Sequence, residues 1–278
     1  MIKQKEAELV FYAAASLLEG PHWDVETQRL YIVSIEGEMI YSLDPETKDI
    51  VSYPTEGPVG CAVVDETGMI ISAEHAGIFK TNPKTREKTF LTQVRTDERM
   101  RYNDGKLDPR GRIVVGTMSL GESYPGEAAL YVIEKDGNSR VLLPNVTLSN
   151  GLAWTEDGET MYFIDTPTKK VGKYAYDLEK GLATFEKYVV EITDGSIPDG
   201  MCIDKNGMLW VAQYGKSKVC QWNPVTGEKL QEVLLPVANV TSCCFGGANM
   251  TDLYITTAVD SEKKEALAGG LFKLNNAI

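Results

Sequence analysis

The chain repeats one short pattern several times, and that repetition limits its fold more than any other property. Leu148-Ser149-Asn150-Gly151-Leu152-Ala153-Trp154 passes a tight turn at Asp157-Gly158 and enters the apolar run Met161-Tyr162-Phe163-Ile164-Asp165. Alone, this is a β-hairpin with an Asp-Gly turn. Three further stretches follow the same plan. Leu18-Glu19-Gly20-Pro21-His22-Trp23-Asp24 leads into residues 30–33, Tyr102-Asn103-Asp104-Gly105-Lys106-Leu107-Asp108 into 112–116, and Pro198-Asp199-Gly200-Met201 into 208–212. In each, an oxygen-bearing side chain precedes a glycine and opens a strand.

Counting the second strand of every unit gives six units, opening near residues 20, 60, 104, 150, 199 and 242. A period of roughly 40 to 50 residues with about four short strands per unit marks propeller blades, not a helical solenoid. Asp44-Pro45-Glu46-Thr47 closes the first unit, Asn82-Pro83-Lys84-Thr85 the second and Asn223-Pro224-Val225-Thr226 the fifth. Helical periodicity is nearly absent, and 25 glycines and 12 prolines suit many tight turns. Leu9-Val10-Phe11-Tyr12 has strand character but no hairpin partner nearby. It is placed to supply the outer strand of the last blade, which removes two exposed edges. The expected fold is all-β: a six-bladed β-propeller of four-stranded blades, its ring closed by an N-terminal strand, with residues 1–278 forming one domain.

The 28 basic and 40 acidic residues leave a net charge of −12. Such a surface repels nucleic acid and anionic membranes and tolerates cations. No stretch approaches the roughly 18 apolar residues of a membrane span, and the N-terminal residues lack the apolar core of a signal peptide. The five cysteines (Cys61, Cys202, Cys220, Cys243 and Cys244) have no paired metal-ligand spacing and lie mostly in apolar strand patterns. They read as buried thiols of a cytoplasmic protein.

Ring symmetry gives these scattered residues a common address. The inner strands of a propeller line its central channel, so the residue ahead of each opening strand faces the axis. Those positions supply Glu19, Asn103, Asn150 and Asp199, with Gly60 and Ser242 in the other two blades. Four oxygen donors without histidine or cysteine form a hard-cation set suited to Ca²⁺, Mg²⁺ or Mn²⁺. Any one Asn-Gly or Asp-Gly pair alone reads as a turn. Recurrence at equivalent positions, five to eight residues before the hairpin turns, favours a site instead. Glu19 is the most telling, because glutamate is a poor turn residue. Asp24, Asp108, Asp157 and Asp204 read as turn or surface groups, His22 as a packed core residue and His75 as a loop residue. No nucleophile elbow, phosphate loop or dinucleotide fingerprint is present.

The motifs around Glu19, Arg101 to Arg112, Gly116-Thr117-Met118, Ser149 to Trp154 and Pro198 to Met201 together resemble the SMP-30/gluconolactonase/regucalcin family over nearly the whole chain. The resemblance implies a six-bladed propeller holding one divalent cation: Ca²⁺ first, with Zn²⁺, Mg²⁺ or Mn²⁺ as alternatives. Its metal ligands would be Glu19, Asn150 and Asp199. Asp199 would also be the general base in opening a small sugar lactone, with the cation polarising the carbonyl, and Arg101 and Asn103 would contact the substrate. Arg101 otherwise reads as a surface charge in Arg99-Met100-Arg101. Family members of mammalian type carry an acidic substrate contact after the Gly-Thr-Met motif. Here Glu122 either takes that role one position displaced or the contact is lost. A non-catalytic calcium-binding regulator of regucalcin type is the alternative function, and a protein-binding scaffold a third. Oligomeric state is left open.

Overall fold

The structure, a computed structural model, describes the chain except for residues 1, 96 and 122. Its strands assemble into six separate sheets, antiparallel except for one added edge strand. The inner strands are Leu18–Asp24, Val59–Val64, Met100–Leu107, Ser149–Trp154, Ile197–Ile203 and Asn239–Gly246, one to a sheet. Each inner strand packs against the next, and the sixth packs back on the first, so the ring closes. The expected propeller is the observed fold.

Alternation along the strands supplies apolar side chains to both faces of every sheet. These interlock between neighbouring blades in six apolar clusters. Tyr31, Val33, Val59 and Ile70 join blades one and two, for example, and Trp210, Val219, Val240 and Phe272 join blades five and six. The core is therefore divided into wedges around a polar axis.

The N-terminal segment closes the ring as expected. Glu8–Tyr12 pairs antiparallel with Gly270–Leu274 as the outermost strand of the sixth blade. The preceding segment departs from expectation: Lys3–Glu6 adds in parallel to Lys229–Leu234, giving the fifth blade a fifth strand. The three Asx-Pro closures are one turn used three times. The side-chain oxygens of Asp44, Asn82 and Asn223 each accept backbone N–H bonds from the residues two and three positions on. Each turn ends in a left-handed residue: Lys48 at φ 61°, Arg86 at 63° and Gly227 at 76°. Among the described residues the sole helix is one turn of 3-10 helix, Thr166–Thr168, and none is long and apolar enough to cross a membrane. All five cysteines are free and buried.

Candidate metal and substrate site

The residues expected just ahead of the inner strands lie inside them. In every inner strand the pairing with the second strand slips at the same place: between Glu19 and His22, Val59 and Cys61, Tyr102 and Gly105, Ser149 and Leu152, Pro198 and Met201, and Val240 and Ser242. Such a bulge adds a residue to one strand and re-aims the side chains around it. It turns Glu19, Asn103, Asn150 and Asp199 out of the alternation that buries their neighbours between blades.

Two of the glycines that follow are not turn residues. Gly151 and Gly200 are in extended strands, and they are glycine because the next blade is too close. A Cβ on Gly151 would come within 2.7 Å of Met201 Cβ and 2.9 Å of the Asp199 carbonyl; one on Gly200 would come within 2.0 Å of Ser242 Oγ. At Asn150-Gly151 and Asp199-Gly200 the repeat thus encodes two requirements at once, a side chain on the axis and contact with the next blade; Gly20 instead takes a left-handed φ of 52° with its nearest neighbour atom 3.6 Å away.

Glu19, Arg101, Asn103, Asn150 and Asp199 all line one cavity of about 290 Å³ at one end of the axis. Gly60 and Ser242 are not on its wall. Sequence reasoning missed the rest of the lining: the aliphatic side chains of Leu17, Ile35, Met118, Leu148 and Ile197, and the polar Thr166 and Tyr214. Met118 and Leu148 fall inside motifs read above without being given a place on the wall; nothing in the sequence marks Leu17, Ile35, Thr166, Ile197 or Tyr214, because only the ring brings them together.

A hydrogen-bonded chain fixes the amides. Arg101 Nη1 donates to Asn103 Oδ1 at 2.7 Å and to the Tyr102 carbonyl at 2.9 Å. Asn103 Nδ2 donates to the Ser149 carbonyl at 2.7 Å and to Asn150 Oδ1 at 3.0 Å. Asn150 Nδ2 donates to Thr166 Oγ1 at 2.8 Å, and Thr166 Oγ1 donates to the Pro198 carbonyl at 2.9 Å. Arg101 is therefore committed to the cavity and is not a free surface charge.

The acids are held under strain of a different kind. Burial, then the nearby Asp104 carboxylate, pushes the Glu19 carboxyl up to about 8. Burial, then Glu19 and Asp104, pushes Asp199 well above the usual carboxylate range. Burial pulls Arg101 down from the usual guanidinium range. Asp104, which sequence reasoning left without a role, is itself buried and pushed up by burial, and its Oδ2 has no hydrogen-bond partner among the described residues. Glu19 and Asp199 share the cavity wall, with Asp104 off that wall but near enough to raise both; Arg101 and Lys106 offset only part of this, a condition that a bound cation relieves.

Among the described residues no cluster of three His, Cys, Asp or Glu side chains could hold a metal by itself. A cation here would use the two carboxylates together with the Asn150 amide oxygen, which keeps a lone pair beside its bond from Asn103. That oxygen-only set fits a hard divalent ion.

The remaining sequence-level expectations divide. Asp24, Asp108 and Asp204 are turn residues, as expected, but are buried rather than on the surface. Asp157 caps its own turn, accepting from Glu159 N–H and Thr155 Oγ1. His22 is half-buried in the first inner strand, where burial depresses its imidazole to about 4. His75 occupies the turn between two strands of the second blade, 3.7 Å from Glu98. Glu122 lies outside the described residues.

Comparison with known proteins follows the same lines. A family model described as the SMP-30/Gluconolactonase/LRE-like region matches residues 17–259. Regucalcin of Xenopus laevis is 35% identical over 268 residues, covering 92% of this chain and 89% of that protein. A Bacillus subtilis protein with the name "Putative sugar lactone lactonase" is 37% identical over 262 residues, covering 91% of this chain and 89% of that protein. The crystal structure of an Agrobacterium tumefaciens protein described as a calcium-binding regucalcin superposes with a TM-score of 0.92 over 99% of this chain and 95% of that one; at 20% identity the likeness is one of fold. The chain belongs to the SMP-30/gluconolactonase/LRE-like family.

Proposed function

We propose that this protein is a divalent-cation-dependent lactonase of the sugar lactone class, with residues 1–278 working as one propeller domain in the cytoplasm. Glu19, Asn150 and Asp199 hold the cation, with Ca²⁺ the first choice and Zn²⁺, Mg²⁺ or Mn²⁺ the alternatives. Bound there, the cation supplies Lewis acidity to the ester carbonyl. Asp199 orients a water and accepts its proton as the oxygen adds to the carbonyl carbon. The ring C–O bond then breaks, the departing alkoxide takes from Asp199 the proton it had accepted from the water, and a hydroxy acid leaves. Arg101 and Asn103 orient the lactone, Arg101 through the edge of its guanidinium not bonded to Asn103. Asn103 and Thr166 together hold the Asn150 amide with its oxygen in place.

The observation that carries this reading is the convergence of Glu19, Asn150 and Asp199 on one cavity, with both carboxyls pushed up by burial and by each other or Asp104. The name of the Bacillus subtilis relative supports lactones as the substrate class.

The test strips the protein with chelator and resupplies Ca²⁺, Mg²⁺, Mn²⁺ and Zn²⁺ separately, assaying aldonolactones together with simple γ- and δ-lactones. Hydrolysis that vanishes with chelator and returns with one ion is the expected result. No hydrolysis with any ion, together with a cation-dependent rise in melting temperature, would replace this reading with the non-catalytic calcium-binding one that the regucalcin relatives suggest.

A further inference from the structure

A second cavity of about 420 Å³ lies beside the first and shares Leu17 and Tyr214 with it. It sits where blades five, six and one meet, and its frame is tied in backbone. Asn239 pairs with Ala258, Ala258 bridges to Leu17, and the Leu17 carbonyl accepts from the Ile35 N–H at 3.0 Å. The Val259 N–H closes the frame on the Ser16 carbonyl at 2.9 Å. Such a wall is set before a ligand arrives.

Its side chains are mostly polar and largely uncommitted. Ser16, Glu36, Asn239, Asp260 and Ser261 line it beside Tyr214. Asp260 is partly engaged: it accepts from the Glu262 N–H at 3.0 Å and pairs with Lys263 at 3.2 Å. Asn239 is the informative residue. It is only 4% exposed, yet its side chain makes no hydrogen bond to any described residue. Buried amides are ordinarily hydrogen-bonded, so this one is left for what enters the cavity. The Tyr214 hydroxyl likewise has no partner among the described residues, and it stands between the cavities: after burial, Asp199 on one side and Asp260 on the other push it up.

Amide, hydroxyl and carboxylate groups together give and take hydrogen bonds as sugar hydroxyls require, each of which is both donor and acceptor. By volume, the second cavity exceeds the first, which the reading above fills with one lactone ring and its cation. Resting on that lactonase reading, we propose that the second cavity is a glycosyl subsite and that the substrate class extends to aldonolactones carrying one further sugar unit. The lactone is held at Glu19, Asn150 and Asp199, and the appended sugar by Asn239, Glu36 and Ser261. Asn239 is then a specificity residue for the appended unit, and the chemistry at the lactone is unchanged.

The experiment compares kcat/KM on the cation-loaded protein for glucono-δ-lactone and for gluconolactones carrying a glucosyl or galactosyl unit on O4 or O6. At least one disaccharide lactone should be better by roughly tenfold or more, the effect of about one or two net hydrogen bonds. Binding energy from a remote part of a substrate is expressed in this way at the reacting bond. Asn239→Leu, close in shape but without the amide, should lower that ratio about tenfold. Glu36 is exposed, so Glu36→Ala spares the core, and it should act in the same direction. Each variant is its own control, because a ratio measured on one preparation does not depend on the fraction folded. If glucono-δ-lactone equals or surpasses every disaccharide lactone, or if neither substitution moves the ratio, the glycosyl subsite is overturned and the lactonase reading stands. If no lactone of either kind is opened with any ion, that reading fails and the subsite with it.

Discussion

The two ends of the inner strands carry the same kinds of residue to opposite effect. At the turn end, buried aspartates are completely satisfied. Asp108 accepts from Arg112 Nε and the Tyr176 hydroxyl, each at 2.7 Å, and from two backbone N–H groups. Asp204 accepts from Trp210 Nε1 and Gln221 Nε2, each at 2.8 Å, and from two more N–H groups. At the cavity end Glu19 and Asp199 line one wall and Glu19 raises Asp199, while Asp104, behind that wall, keeps an unpaired oxygen. A buried carboxylate surrounded by donors holds the fold together. One surrounded by other carboxylates weakens the fold and is suited to work on something from outside. Residue type does not separate these roles; the number of donors within reach does.

The sharpest way to break the comparison is to remove one acid from each end. Asp199→Asn should cut lactone turnover by about a thousandfold, within the range for loss of a general base, with a melting temperature in chelator no lower than that of the parent. Asp108→Ala should do the reverse. It strands the buried Arg112 guanidinium, at a cost of about 3–5 kcal/mol, measurable by urea unfolding, while the protein that remains folded still turns over substrate. If Asp199→Asn unfolds the protein, or Asp108→Ala is benign, the two ends do not differ as described.

Acidity provides a middle-sized test. Glu19 has its carboxyl at about 8 in the folded protein against an ordinary 4.5. Below about pH 4.5 the group is protonated whether the chain is folded or not. Between 4.5 and 8 the unfolded chain releases the proton and the folded one retains it, so this contribution to stability declines as pH rises through that window. Melting curves in chelator should show the decline, and Glu19→Gln should lessen it. Saturating Ca²⁺ should flatten it. A cation-free protein with the same pH profile as Glu19→Gln would contradict the picture of mutually repelling acids.

The smallest effect concerns the Asx-Pro turns, where structure alone is at stake. Lys48 and Arg86 occupy the left-handed position that glycine fills at 227. Lys48→Gly should therefore stabilise the chain by roughly 0.5 kcal/mol, the left-handed penalty less the entropy cost of glycine. Arg86 is a poorer choice, because it also donates to the Ser52 carbonyl and lies over the Tyr53 ring. A loss of stability in Lys48→Gly would mean that its side chain contributes more than the turn reveals.

Much of this molecule is legible in its sequence because the repeat forces agreement between distant segments. The period, the hairpin turns and the unpaired run at Leu9 specify the propeller and its closure. Convergence of Glu19, Asn103, Asn150 and Asp199 follows from equivalent positions in a ring, whereas Arg101 was legible only through the family resemblance. What was not legible has a common physical cause. The bulges leave no compositional mark, so the axial residues could be read only as preceding the strands. Leu17, Ile35 and Ile197 look like ordinary strand or turn residues until neighbouring blades bring them to one rim. Asp104 resembled part of an Asn-Asp-Gly turn, and only its unpaired oxygen shows otherwise.

The pairing of Glu8–Tyr12 with Gly270–Leu274 also has a consequence for how the chain is made. On the ribosome, the strand that seals the ring emerges long before its partner. Through nearly all of synthesis Leu9, Val10, Phe11 and Tyr12 must wait without a neighbour, an apolar edge open to other nascent chains. Closure is thus the slow, long-range event of folding. Until residue 274 has been made, the protein is an open arc whose two free edges have not yet met.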